Sequence, residues 1–196
     1  MDQKRSRLFY PLDEFYDYLG LSLPTVMQVD GQDVPEPYRS LLVHENDMTP
    51  TLESAYTSRV HLRVLNYTVT DDVFSRQIVL FLEGSEKKVE FGAIKIYLKY
   101  FPPQARRLLL ERKQPLGTIL KGESVAHVSR PVAYLRVTSD TVINSALNLP
   151  GTYSLYGRRN AMFDPSGNTL AQIIEILPPS NHVALSGRPG PSRTRT

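Results

Sequence analysis

Between Val60 and Ile96 the chain carries three β-rich runs in close succession, Val60–Leu65, Arg76–Leu82 and Lys88–Ile96, with turn residues between them. Branched and aromatic side chains favour extended backbone, so these runs read as consecutive antiparallel strands. Two more strands are expected at Val132–Val137 and Thr169–Leu177. An antiparallel sheet is thus the frame that every other segment must cover.

The cover is legible in part. Leu8, Leu12, Phe15 and Leu19 recur at helical spacing and predict an amphipathic helix stopped by Gly20. Thr49 suits an N-cap and Pro50 a first helical position, so a short helix is expected to begin there. Pro102 and Pro103 open a segment through Arg112 that is apolar on one side and charged on the other, able to cover one sheet face. Residues 21–38 hold prolines at 24, 35 and 37 around Asp30-Gly31 and read as irregular. The fold class expected is α+β, with helices on one side of an antiparallel sheet. One domain over residues 1–179 and a disordered tail over 180–196, rich in Pro, Ser, Gly and Arg, complete the expected organisation.

Composition removes several function classes. A chain of 196 residues can bury a core without staples, and the absence of cysteine excludes disulfides, thiolate metal sites and a cysteine nucleophile. That absence also fits a cytoplasmic location. No apolar run approaches the roughly 18 residues of a membrane span, and Leu8-Phe-Tyr-Pro-Leu-Asp-Glu interrupts any signal-peptide core. Membrane insertion and export are therefore not expected. The net charge of +3 resides in the tail, at Arg188, Arg193 and Arg195, leaving 20 basic and 20 acidic residues in the body. A formally neutral body argues against nucleic-acid binding. Histidines 44, 61, 127 and 182 fall in separate segments, and there is no P-loop, dinucleotide fingerprint or nucleophile elbow. Neither a metal nor a cofactor is expected.

An ordered series of short motifs goes further: Asp47-Met-Thr-Pro-Thr-Leu-Glu, Ser75-Arg-Gln-Ile-Val-Leu, Pro115-Leu-Gly, Tyr156-Gly-Arg-Arg-Asn and Ile174-Glu-Ile-Leu-Pro. Each is weak alone, but their order and gaps over residues 8–179 resemble the chorismate pyruvate-lyase (4-hydroxybenzoate synthase) family. The chain departs from it at Gln77, where an acid commonly follows the arginine, at Asn160, where a serine is usual, and in the proline-rich loop before Met48. The resemblance implies flap loops over an internal pocket, a monomer, and cofactor-free elimination of pyruvate from chorismate to give 4-hydroxybenzoate, a precursor for ubiquinone biosynthesis.

By the same resemblance Arg76 grips the ring carboxylate, Met48 and the Leu116-Gly117 turn add backbone contacts, and Glu175 meets the ring hydroxyl end. Arg76 and Glu175 are thereby the expected catalytic pair. Arg158 and Arg159 are candidates for the second, pyruvyl carboxylate. The chemistry suits these residue types, because a guanidinium fork recognises a carboxylate better than a point charge does. An apolar setting such as Gln172-Ile-Ile-Glu-Ile-Leu would raise the pKa of Glu175.

Plainer readings stand beside these. Arg76 could form a cross-strand ion pair, Glu175 could face solvent, Arg158 and Arg159 could be a solvated basic turn, and Met48 could be helix-start packing. His44 is left outside the catalytic set. The competing functions are a lyase acting on a related enolpyruvyl substrate and a non-catalytic small-molecule sensor, the latter because the same fold resembles the effector-binding domain attached to some bacterial transcription regulators. Such regulators carry a DNA-binding head, for which there is no room before Leu8.

Overall fold

The computed structural model describes residues 7–180. The proposed tail therefore lies outside the described residues apart from Ser180. Seven strands form a single antiparallel sheet: β1 (Val26–Val29), β2 (Val60–Val69), β3 (Val73–Leu82), β4 (Lys88–Tyr97), β5 (Val128–Thr138), β6 (Ser154–Phe163) and β7 (Thr169–Ile176). Their order across the sheet is β1-β5-β6-β7-β4-β3-β2. The helices that pack on it are α1 (Asp13–Tyr18), α2 (Tyr38–Leu42), α3 (Met48–Tyr56), α4 (Pro103–Glu111), α5 (Leu116–Gly122) and α6 (Thr141–Leu147). The expected α+β class and antiparallel sheet are what the structure has, and all five expected strands are present.

Strand residues alternate between two faces, and the register sorts them. Phe74, Arg76, Ile78 and Leu80 of β3 lie opposite Ile96, Ile94, Gly92 and Glu90 of β4. Gly92, Ile94 and Ile96 in turn oppose Glu175, Ile173 and Ala171 of β7. Arg158, Asn160 and Met162 of β6 complete the rows. Helices α2 and α3 cover one end of this face through Leu41, Leu42, Met48, Leu52 and Tyr56 packed on Ile78, Leu80 and Leu82. Helices α4 and α5 cover the other end through Ala105, Leu109, Leu116, Ile119 and Leu120. The opposite face is also covered, by Phe9, Phe15 and Tyr16 and by Ile143, Ala146 and Leu147 of α6, packed on Val79, Phe91, Ala93, Leu135, Val137, Leu155, Ile174 and Ile176. Helices thus pack on both faces rather than one, because both sets of alternating positions are apolar along the central strands.

Several local expectations change. The N-terminal helix is broken: residues 7–9 are helical, Pro11 interrupts, and α1 resumes at Asp13, with Gly20 ending the segment at φ +65°. Helix α3 starts at Met48, with Asp47 rather than Thr49 in the cap position, and Pro50 sits within its first turn, where its missing N–H would have been unpaired in any case. Residues 21–38 are largely irregular but contain β1. Pro115-Leu-Gly is the start of α5 rather than a turn. Among the described residues no helix is long and apolar enough to cross a membrane.

Leu52 is fully buried on the inner side of α3 and holds that helix against the sheet. Leu52→Ala is expected to lower stability by about 2–5 kcal/mol, read as a shift of the urea midpoint. An equivalent truncation at Leu19, which is exposed, should move it by less than about 0.5 kcal/mol.

Candidate functional site

At the centre of the face under α3 and α5 lies a cavity with about 390 Å³ of space between its atoms, only about 30 Å³ of it wide enough for the centre of a water molecule. Five expected site residues line it: Met48, Arg76, Leu116, Gly117 and Glu175. The topology explains how distant segments meet. Arg76 rises from β3, Glu175 from β7 two strands away, Met48 opens α3, and Leu116 opens α5. The two helix starts touch directly, since a Cβ added to Gly117 would stand 3.1 Å from Thr49 Oγ1. A side chain there would push the helices apart and open the roof of the cavity.

Arg76 is fully buried. Its Nη2 donates to the Gln114 carbonyl at 3.3 Å, and its Cζ lies 5.7 Å from the centroid of the Phe74 ring. Nε and Nη1 have no partner. Burial depresses the guanidinium to about 10, still far above neutrality, so it remains a cation. An arginine in low dielectric with two free donors is a high-energy element, and the arrangement favours any anion that reaches it.

Arg158 is equally buried but fully engaged. Its Nε donates to Glu175 Oε2 at 2.5 Å, Nη1 to the carbonyls of Leu42 at 3.2 Å and His44 at 2.9 Å, and Nη2 to the carbonyl of Asn46 at 3.0 Å. It clamps the loop between α2 and α3 onto the sheet. His44 takes part as an acceptor: its Nδ1 lies 3.2 Å from Arg158 Nη1 while Nε2 meets the Leu41 carbonyl at 2.7 Å. Burial and the Arg158 charge lower its pKa, which matches this neutral role. Asp47 ends the loop with its carboxylate 2.9 Å from His127 Nε2, tying the start of α3 to the segment before β5.

The expectation of a basic turn at Tyr156–Asn160 is corrected: this segment is the middle of β6. Alternation sends Arg158 to the cavity face and Arg159 to the other, where Arg159 donates to the Arg7 carbonyl. The two arginines therefore do not converge: Arg158 is engaged on the cavity face, and Arg159 lies on the other face. Glu175 is also corrected in part, since it is neither solvated nor free but paired with Arg158.

A buried acid of the cavity had not been singled out from the sequence. Glu90 on β4 is 3% exposed, lines the cavity and has no partner at Oε2. Burial, reinforced by the nearby Glu175 carboxylate and only partly opposed by Arg158, holds its pKa well above the usual carboxylate range. The signal in the sequence was an acid inside an apolar strand, Val89-Glu-Phe, a setting like that of Glu175. Among the described residues no cluster of histidines and acids could hold a metal ion.

No protein-family model matches this sequence, and no curated protein sequence does. Solved structures do match in three dimensions. The effector domain of PhnF from Mycobacterium smegmatis superposes with a TM-score of 0.54 at 11% identity, over 71% of this chain and 92% of that one. A structure of PhnF from the same organism gives 0.53 at 11% identity over 90% and 94% of the two chains. The possible transcriptional regulator YydK from Bacillus subtilis gives 0.53 at 8% identity over 95% and 99%. The chain shares their fold. The expected chorismate pyruvate-lyase activity is corrected here, because the structures that share the fold include an effector domain and a possible transcriptional regulator. The cavity is consistent with that correction: chorismate carries two carboxylates, whereas Arg158 is engaged and Arg159 faces away.

Arg158→Met should lower stability by about 3–5 kcal/mol, because it leaves Glu175 buried without its cation; adding Glu175→Leu should restore part of the loss. Urea denaturation of the single and double variants checks both. Glu90 has a raised folded-state pKa, so its contribution is complete below the ordinary value of 4.5 and is lost as pH rises from there through the raised value. Glu90→Gln is therefore expected to flatten the decline in stability on the alkaline side, measured by thermal melts across pH.

Proposed function

We propose that this chain is a non-catalytic effector-binding domain that takes a small aromatic carboxylic acid into the cavity beneath α3 and α5. The observation that carries the reading is the buried Arg76 guanidinium, with Nε and Nη1 directed to no protein acceptor and its side chain in the cavity wall. A ligand carboxylate would accept from one of these donors and supply the charge that the interior lacks. Apolar walls from Leu62, Ile78, Ile94, Leu116, Met162 and Ile173 suit a flat ring. The residues expected as substrate contacts keep this geometry under a binding role, with Arg76 as anchor and Met48, Leu116 and Gly117 as roof. The binding unit would be the body over residues 1–179, with the tail outside it.

The cavity is too tight for a ring as it stands, so binding would require the roof to lift. The segment from His44 to Met48 is suited to that movement, being held by Arg158 and by the Asp47–His127 contact rather than by its own secondary structure. A ligand that changes the position of this loop would turn occupancy into a conformational signal, as effector sensing demands.

Arg76→Met provides the test. Removal of an unpaired buried charge should stabilise the ligand-free protein by about 1–4 kcal/mol. It should also abolish the rise in melting temperature that millimolar 4-hydroxybenzoate gives the wild type, which would correspond to roughly 2.7 kcal/mol at a hundredfold excess over Kd. Chromatography of wild-type protein incubated with chorismate should show no pyruvate. A wild type that neither binds benzoate-type acids nor depends on Arg76 for doing so would overturn the reading.

A further inference from the structure

The register of β3 and β4 places a second buried polar group at a defined distance from Arg76. Arg76 is opposite Ile94, and Glu90 lies four residues further along β4 on the same face, about 14 Å away along the strand at ~3.4 Å per residue. The residue between them on that face of β4 is Gly92, so no side chain rises from the strand to fill the interval. Its neighbour on β3 is Ile78, an apolar floor, and its neighbour on β7 is Glu175, whose carboxylate is engaged by Arg158. Gly92 is closely packed as well, because an added Cβ would fall 2.1 Å from the Ile174 carbonyl oxygen. Arg76, Ile78, Glu90 and Glu175 thus line one cavity, with a free guanidinium on one side of it and the Glu90 carboxyl group on the other.

We propose that Glu90 determines which ligand this site accepts, by donating a hydrogen bond from its carboxylic acid to an uncharged oxygen at the end of the ring remote from the Arg76-bound carboxylate. The inference rests on the reading of Arg76 as the carboxylate anchor. Glu90 is suited to donate because its interior position, with Glu175 nearby, favours the protonated acid. Its Oε2 has no protein partner, so a ligand oxygen would answer an unsatisfied group rather than displace an existing contact. A site built in this way rejects a ligand lacking the oxygen, because the buried acid is then left unpaired. The ligand class is accordingly a flat monocarboxylic acid bearing a hydroxyl or carbonyl oxygen opposite its carboxylate.

Calorimetric titration of the wild type with benzoate, 4-methylbenzoate and 4-hydroxybenzoate at pH 7 tests this directly. The hydroxyl compound is expected to bind at least about tenfold more tightly than the other two, the worth of one buried hydrogen bond. Glu90→Leu should erase that advantage while leaving benzoate affinity within about twofold, and Glu90→Gln, which keeps a donor, should retain most of it. An advantage that survives Glu90→Leu overturns the assignment. Should Glu90→Leu fail to fold, 4-methylbenzoate decides within the wild type: equal affinity for the methyl and hydroxyl compounds overturns the proposal. Binding of none of the three would instead sink the Arg76 reading, and this inference with it.

Discussion

A single buried guanidinium organises the functional face of this protein. Arg158, in the middle of β6, neutralises Glu175 on the next strand and gives its remaining donors to the carbonyls of Leu42, His44 and Asn46. A charge in low dielectric must be paired and its protons satisfied, so the loop that supplies those carbonyls is fixed by the needs of the arginine. That loop delivers Asp47 and Met48 to the start of α3, and α3 roofs the cavity. Because Glu175 and Arg158 satisfy each other and Glu90 favours its neutral form, the positive charge of Arg76 stays uncompensated. On the proposed reading the cavity is therefore complementary to one anion.

This arrangement stores instability at the site. Arg76 with two unpartnered donors and Glu90 with an unpartnered oxygen are the groups that an interior optimised for stability would replace by apolar side chains. Their cost is offset by the packing around them, where Ile78, Leu80, Ile94, Ile96 and Ile173 bind the two ends of the face to the flanking helices. A ligand with a carboxylate relieves the first defect, and one with an added neutral oxygen relieves both. Selectivity on this account comes from what the protein lacks when alone.

Much of the frame was legible in the sequence because local preference and tertiary role agreed there. The runs at Val60, Arg76, Lys88, Val132 and Thr169 are apolar and branched, and each became a strand. β6 was missed because Gly157-Arg-Arg-Asn160 has the composition of a turn; its polar residues are buried by partners on other strands, Glu175 for Arg158 and Ser129 for Asn160 at 2.7 Å. No local pattern reveals partners 17 and 31 residues away. The resemblance to the lyase family located Arg76, Met48, Leu116, Gly117 and Glu175, which the fold gathers around one cavity. It misled on activity, since the structures that share the fold include an effector domain and a possible transcriptional regulator. Glu90 was overlooked although its apolar neighbours resemble those of Glu175, since alternation alone does not say which face a strand acid takes.

The central claim is that Arg76 is a carboxylate receptor held ready inside the protein. It is tested most directly by following the Arg76 Nε–H resonance in a nitrogen-labelled sample while 4-hydroxybenzoate is added. The account predicts a saturable displacement of that resonance with slowed solvent exchange, while the Arg158 Nε–H stays where its bond to Glu175 holds it. A ligand that binds and shifts Arg158 or surface arginines but leaves Arg76 unmoved would contradict it.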